Sequence, residues 1–167
     1  MNERQQDEKL NAWLDRHRGL ILKVTRSFAV TSHDRDDLFQ EIVLQVWKSI
    51  PRYTNRVAES TWIYRVALYT AINWTRKETR SDRATNDLAD EPVAKMPTAD
   101  PRVDWLYEQI ATLAPIDRSL ALLMLDGLSY REISGTLGLS ESNVGVRLNR
   151  IKKQLTARLE RKGKHEF

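Results

Sequence analysis

The segment DGLSYREISGTLGLSESNVGVRLNRIKKQL, residues 126–155, restricts its part of the chain to one local arrangement. Ser129 followed three positions later by Glu132 is a capping box: hydroxyl and carboxylate each take a backbone N–H that the start of a helix would leave unpaired. Ile133 and Leu137 form the inward face of that short helix. Gly138-Leu139 is the turn, with glycine where the backbone needs positive φ. Ser140 caps a second, longer helix in which Val144, Leu148, Ile151 and Leu155 recur at three and four. A short helix, a glycine turn and a longer basic helix make a helix-turn-helix unit.

Charge supports that geometry. The net charge is only +4, but from Gly145 to Lys164 there are eight basic residues (Arg147, Arg150, Lys152, Lys153, Arg158, Arg161, Lys162, Lys164) against one acid, Glu160. Between Ser81 and Asp100 the balance reverses, with Asp82, Asp87, Asp90, Glu91 and Asp100 against Arg83 and Lys95. Charge segregated in this way suits a surface that meets a polyanion. On the second helix the outward positions are Glu141, Ser142, Gly145, Val146, Arg147, Asn149, Arg150 and Lys153. Arginine can take guanine bidentately and asparagine adenine, while Lys152 and Lys153 suit phosphates. Gly145 lacks a side chain and would let a duplex approach the backbone closely, at a cost to the helix of up to ~1 kcal/mol. The alternative is an ordinary helical hairpin with a solvated basic face. Cap, turn, stripe and charge together favour the helix-turn-helix.

The rest of the chain also reads as helix, so the expected fold class is all-α. No stretch sustains period-2 alternation. A first helix is predicted over 7–29, with Leu10, Trp13, Leu14, His17, Ile21, Val24 and Phe28 on one face. A second covers 34–50 and stops before Pro51, burying Leu38, Phe39, Ile42, Val43, Val46, Trp47 and Ile50. After a loop over 53–59, a third runs over 60–80. Residues 81–100 hold few large apolar groups, two prolines and an acidic bias, which predicts a flexible tether. Asp100-Pro101 then restarts helix as N-cap and first helical residue. Further helices are predicted over 101–113, 115–126, 129–137 and 140–161. The layout is two small helical bundles, 1–80 and 101–167, joined by an acidic linker over 81–100. With no cysteine there is no disulfide or thiolate site. The N-terminus carries no apolar run, so no membrane insertion is expected and cytoplasm is the expected compartment.

Two features of the first bundle carry chemistry. Asp36, Asp37, Gln40 and Glu41 share the exposed face of the second helix. These acids would serve as part of a metal site, as partners of the helix dipole, or as a docking face for a protein; no histidine or further acid completes a metal set, and no cofactor is expected. Between Tyr53 and Trp74 stand Tyr53, Trp62, Tyr64, Tyr69 and Trp74, interleaved with Arg52, Arg56, Arg65, Arg76 and Lys77. Aromatics among cations suit single-stranded nucleic acid, since any base can stack and the cations follow phosphates. Packing within the bundle is the competing role, and the favoured one for Trp62.

Three blocks, DDLFQEIVLQVWKSIPRY, STWIYRVALYTAINWTRK and LAPIDRSLALLMLDGLSYREISGTLGLSESNVGVRLNRIKKQL, together resemble the extracytoplasmic-function class of bacterial sigma factors, in the sigma-70 family. The likeness covers nearly the whole chain, in order. The resemblance implies the two domains called regions 2 and 4, and no enzyme activity. It implies that Asp37, Gln40, Glu41 and Leu44 dock on the clamp helices of the β′ subunit of core RNA polymerase, with a further contact between region 4 and the β flap. It places capture of the unpaired −10 promoter strand on Tyr53, Asn55, Tyr64, Tyr69 and Asn73, with Arg65, Arg76 and Lys77 near the backbone. The −35 duplex then falls to Ser142, Asn143, Gly145, Val146, Arg147, Asn149, Arg150 and Lys153, and an anti-sigma factor is a further implied partner. This chain departs from many relatives in having Tyr69 in place of asparagine, and Asn143 and Gly145 in place of threonine and a basic residue. The family's usual −35 preference is therefore not carried over, and Asn149 becomes a candidate base reader. A free-standing dimeric operator-binding regulator would need a dimerisation surface, which the sequence does not offer. A nuclease using Asp36, Asp37 and Glu41 would need more carboxylates or histidines.

Overall fold

A computed structural model of the chain describes residues 1–84 and 99–166. Seven α-helices and one 3₁₀ turn are present among them, with no strand: α1 (Glu3–Phe28), α2 (Ser32–Ser49), a 3₁₀ turn (Ile50–Arg52), α3 (Glu59–Ala84), α4 (Pro101–Ala111), α5 (Pro115–Leu125), α6 (Tyr130–Leu137) and α7 (Glu141–Glu166). None of the described helices is long and apolar enough to cross a membrane. The chain divides into two compact units, Met1–Asp104 and Trp105–Phe167, so the cut falls inside α4 rather than at the predicted boundary before Pro101.

In the first unit α1, α2 and α3 pack against one another. Trp13, Ile21, Val24 and Phe28 of α1, Leu38, Ile42 and Val46 of α2, and Ile63, Ala67, Leu68, Ala71 and Ile72 of α3 are buried. Burying each large aliphatic chain stabilises the fold by ~1.5–3 kcal/mol. Helix α1 starts earlier than its apolar periodicity predicts because Asn2 and Gln5 form a capping box: Asn2 Oδ1 accepts from Gln5 N at 2.9 Å, and Gln5 Oε1 accepts from Asn2 N at 3.0 Å. Thr31 caps α2 by accepting from Asp34 N at 3.0 Å. Helix α2 ends at Ser49, ahead of Pro51 as predicted, and Pro51 sits within the 3₁₀ turn that follows. Helix α3 continues to Ala84, so the first four residues of the predicted linker are helical. Most of the remaining linker lies outside the described residues.

A chain of aromatic contacts fastens the loop before α3. The Tyr53 ring meets Trp13 edge-on at 5.2 Å and lies 5.6 Å from Trp62. Tyr53 Oη donates to Val57 O at 2.7 Å, and Trp62 Nε1 donates to Ser49 Oγ at 2.9 Å. Glu59, the first residue of α3, receives Arg16 of α1 at 2.8 Å and contacts His17 Nε2 at 3.3 Å. Burial works to raise the Glu59 pKa, but hydrogen bonds with Arg16 and His17 outweigh it and hold the carboxyl below its ordinary value.

In the second unit α7 packs on α5 and α6. Its core is Ile110, Leu113, Leu120, Leu122, Leu123, Ile133, Leu137, Val144, Leu148 and Ile151. The start of α4, which belongs to the first unit, is capped as predicted, Asp100 Oδ1 accepting from Arg102 N at 2.9 Å. The Ser129–Glu132 box is formed in both directions, Gly138 adopts φ 69°, and Ser140 Oγ accepts from Asn143 N at 3.1 Å. Leu155 is half-buried rather than fully inward.

Two outcomes follow. Ser129→Ala removes one partner of the capping box and should cost about 1 kcal/mol, read as faster amide exchange in α6 with α1–α3 unchanged; equal exchange in α6 would show that the cap contributes nothing. Glu59→Gln should destabilise the first unit at neutral pH. Because the carboxyl's folded pKa is depressed, its contribution is complete above the ordinary value of about 4.3 and fades as pH falls through the lower folded value. Melting curves of the two proteins should therefore converge in acid, and a constant gap down to pH 3 would contradict the assignment.

Candidate nucleic-acid interface

The apolar stripes of α2 and α3 turn their opposite faces toward a groove of about 980 Å³ in the first unit. One wall is α2, with Asp37, Gln40, Glu41, Leu44 and Gln45. The other is α3, with Trp62, Arg65, Val66, Tyr69, Thr70, Asn73, Trp74 and Lys77, and Ser49 and Arg52 close the end. The predicted docking residues and four of the eight predicted strand-binding residues (Arg65, Tyr69, Asn73 and Lys77) thus line a single groove, a proximity that the sequence does not reveal. Acids stand on one wall and cations on the other. Leu44 and Tyr69 are exposed at 42% and 43%, so the groove offers apolar as well as charged surface.

Not every predicted residue reaches that surface. Tyr64 is 4% exposed and belongs to the core. It stands beside Ile63 and on the stripe continued by Ala67, Leu68 and Ala71, which turns it inward and removes it from any strand-binding set. Tyr53 is half-buried, with its ring engaged by Trp13 and Trp62 and by Lys9 Nζ at 5.1 Å. Asn55 is exposed in the loop at φ 62°, a left-handed conformation that asparagine tolerates better than most residues. Arg76 is exposed on α3 but does not line the groove. Arg52, Trp62 and Trp74, which do line it, were visible in the sequence as part of the aromatic–cationic run but were not assigned to the site.

On α7 the residues Ser142, Asn143, Val146, Asn149, Arg150 and Lys153 are exposed, Val146 to 58%. Two predicted members differ. A Cβ at Gly145 would lie 3.5 Å from the Tyr130 ring of α6, so the space above this glycine faces a neighbouring helix and is not open to a duplex. That distance is ordinary van der Waals contact and would admit alanine. Arg147 does not point freely outward: its Nη1 donates to Asp117 Oδ1 of α5 at 3.1 Å and its Nε to Asn143 Oδ1 at 3.1 Å. Tyr130, with Lys152 Nζ 3.4 Å from its hydroxyl, and Asp117 are members of this surface that the sequence did not single out. Both lie far from α7 in sequence and come to it only through packing.

Among the described residues no three His, Asp or Glu side chains converge to hold a metal ion. His33 Nε2 lies 3.2 Å from Asp37 Oδ2, an exposed pair one helical turn apart.

Family models match both units: Sigma-70 region 2 over residues 13–81 and Sigma-70 region 4 over residues 104–155. The ECF RNA polymerase sigma factor SigE of Mycolicibacterium smegmatis is 26% identical over 150 residues, an alignment that takes in 83% of this chain and 57% of that protein. The chain thus spans little more than half the length of that relative. SigF of Caulobacter vibrioides, also an ECF RNA polymerase sigma factor, is 31% identical over 131 residues, covering 77% of this chain and 72% of SigF. Among solved structures, the sigma factor RpoE from Bartonella quintana, crystallised with the anti-sigma factor NepR, matches with a TM-score of 0.73 at 16% identity over 92% of this chain and 96% of that one. The chain belongs to the extracytoplasmic-function sigma factors of the sigma-70 family.

Proposed function

We propose that this chain directs promoter-specific initiation by core RNA polymerase, with its first unit engaging polymerase and the unpaired −10 strand and its second unit reading the −35 duplex. The observation that carries this reading is the groove whose α2 wall is acidic and apolar and whose α3 wall is aromatic and basic. A protein surface such as the β′ clamp helices fits Asp37, Gln40, Glu41 and Leu44. An unpaired strand fits Tyr69, Asn73, Arg65 and Lys77, with Asn55, Arg76 and the Tyr53 hydroxyl at the flanking loop and helix. Stacking on an exposed aromatic contributes about 1–3 kcal/mol per base and does not depend strongly on base identity. Unpairing costs a few kcal/mol, so pocket contacts of that size can hold a melted base.

On the second unit, Asn149, Arg150 and the remaining donors of Arg147 suit base edges, Ser142, Asn143 and Lys153 suit phosphates, and Val146 suits a thymine methyl. No covalent step is involved, and cytoplasm, where the chromosome lies, is the compartment of action. Region 4 would also meet the β flap. An anti-sigma factor is the regulatory partner in this reading, supported by the NepR complex of the structural neighbour.

The test is run-off transcription with purified core polymerase on genomic promoter fragments. Failure to co-elute with core and to initiate on any fragment would end the reading. Within it, charge reversal at Asp37 or Glu41 should weaken core binding at least tenfold, about 1.4 kcal/mol, with helix content unchanged; unaltered affinity in both variants would remove the docking assignment. Arg150→Ala should cost about 1–3 kcal/mol of promoter affinity and relax the preference at one base pair. Lys153→Ala should instead weaken all sequences alike and lower the salt slope by about one. Equal behaviour of the two variants would mean that the register of α7 on DNA is different.

A further inference from the structure

The guanidinium of Arg147 is bound on two sides before any DNA arrives. Nε donates to Asn143 Oδ1 at 3.1 Å, one turn earlier on α7, and Nη1 donates to Asp117 Oδ1 at 3.1 Å, on α5. Asn143 is itself held, its backbone N–H donating to the Ser140 cap at 3.1 Å. The chain therefore runs from the cap of α7 through Asn143 and Arg147 to the first turn of α5. The side chains of Arg147 and Asp117 are 34% and 20% exposed, so the pair is neither sealed in the core nor freely solvated. A guanidinium has five N–H donors in a fixed plane. Two are used here, and three remain for another acceptor.

An arginine on a recognition helix normally samples many rotamers and can satisfy several base pairs. One clamped at Nε and Nη1 offers its remaining donors in one plane and from one position. The carboxylate also offsets its charge locally, which reduces its attraction to phosphate in general and leaves directional hydrogen bonding as its main contribution. We propose that Asp117, which lies outside the recognition helix, is a positioning residue that fixes the −35 base preference by holding Arg147 in one orientation. The inference rests on the −35 reading of the second unit. Asp117 also lies in the first turn of α5, where an acid is favoured by the helix dipole. The experiment must therefore separate orientation of Arg147 from support of α5.

The chain and its Asp117→Ala, Asp117→Asn, Arg147→Ala and Asp117→Ala/Arg147→Ala variants are each assembled with core polymerase. Initiation is then read from a promoter library randomised across the −35 duplex. Arg147→Ala is expected to lose preference at one base pair. Asp117→Ala should broaden preference at that same pair by roughly fivefold or more, as about 1 kcal/mol of lost discrimination would, while other positions keep theirs. Asp117→Asn retains an acceptor oxygen and should fall between, which keeps the test open if the alanine variant folds poorly. In the double variant Asp117→Ala should add nothing to Arg147→Ala. An unmoved preference in Asp117→Ala and Asp117→Asn, or an equal effect of Asp117→Ala with Arg147 absent, overturns the proposal and leaves the sigma-factor reading intact. Absence of initiation by the unmodified chain overturns both.

Discussion

Helix α3 must pack against α1 and α2 at once, and the rest of the first unit depends on how it does so. Its inward stripe places alanine at 67 and 71, both fully buried, between Ile63, Leu68 and Ile72. Small residues at these points let neighbouring helices approach closely while the larger side chains fill the gaps on either side. With the stripe fixed, the 3.6-residue period leaves no freedom about what faces the groove. Arg65, Tyr69, Asn73 and Lys77 follow one another at intervals of four and form a row along α3. The same reasoning applies to α2, where burial of Leu38, Ile42 and Val46 turns Asp37, Gln40, Glu41 and Leu44 outward at three- and four-residue intervals. The two groove-facing rows are therefore consequences of a single packing solution. Any change that rotates α3 about its axis would move the groove-facing row together with the core.

The second unit is built on the same rule with shorter helices. Burial of Val144, Leu148 and Ile151 against α5 and α6 fixes the roll of α7. Val146, Asn149, Arg150 and Lys153 then lie outward at intervals of three, one and three. The Ser129 box, the left-handed Gly138 and the Ser140 cap set where α6 ends and α7 begins, so that roll is defined relative to α6 as well.

Features of short range were legible in the sequence for this reason. A capping box spans four residues and a glycine turn spans two, and both formed as read. The apolar stripes were legible because each helix is long enough to show its period. Helix α1 began earlier than its stripe because hydrogen bonding at Asn2 and Gln5, not burial, determines its first turn. Tyr64 and Tyr69 differ only in which side of one helix they occupy. Aromatic content alone could not separate them, whereas the position of Tyr64 beside Ile63 and ahead of Ala67, Leu68 and Ala71 would have done so. The surroundings of Gly145 and Arg147 were not legible at all, since Tyr130 and Asp117 reach them from other helices.

That difference changes what the basic helix means. Counted along the sequence, α7 is a dense cationic run, suited to adhere to any polyanion. In the fold several of those cations have partners within their own unit. Arg147 is paired with Asp117, Lys152 lies by Tyr130, Arg158 donates to Gln109 and Thr112 at 3.2 and 2.9 Å, and Lys162 sits 5.6 Å from the Trp105 ring centre. Several of these contacts hold α7 to its own unit. Arg150 and Lys153 lie on the exposed face, three residues from each other and next to Asn149. Non-specific attraction to DNA grows with the number of cations available to displace counterions. Only Arg147 meets an acid, so most of the positive charge of α7 remains, while the partners of Arg147, Lys152, Arg158 and Lys162 fix where those cations sit. Cations and amides held in fixed places are what directional contact with a partner requires, whereas a bare count of charges gives only adhesion.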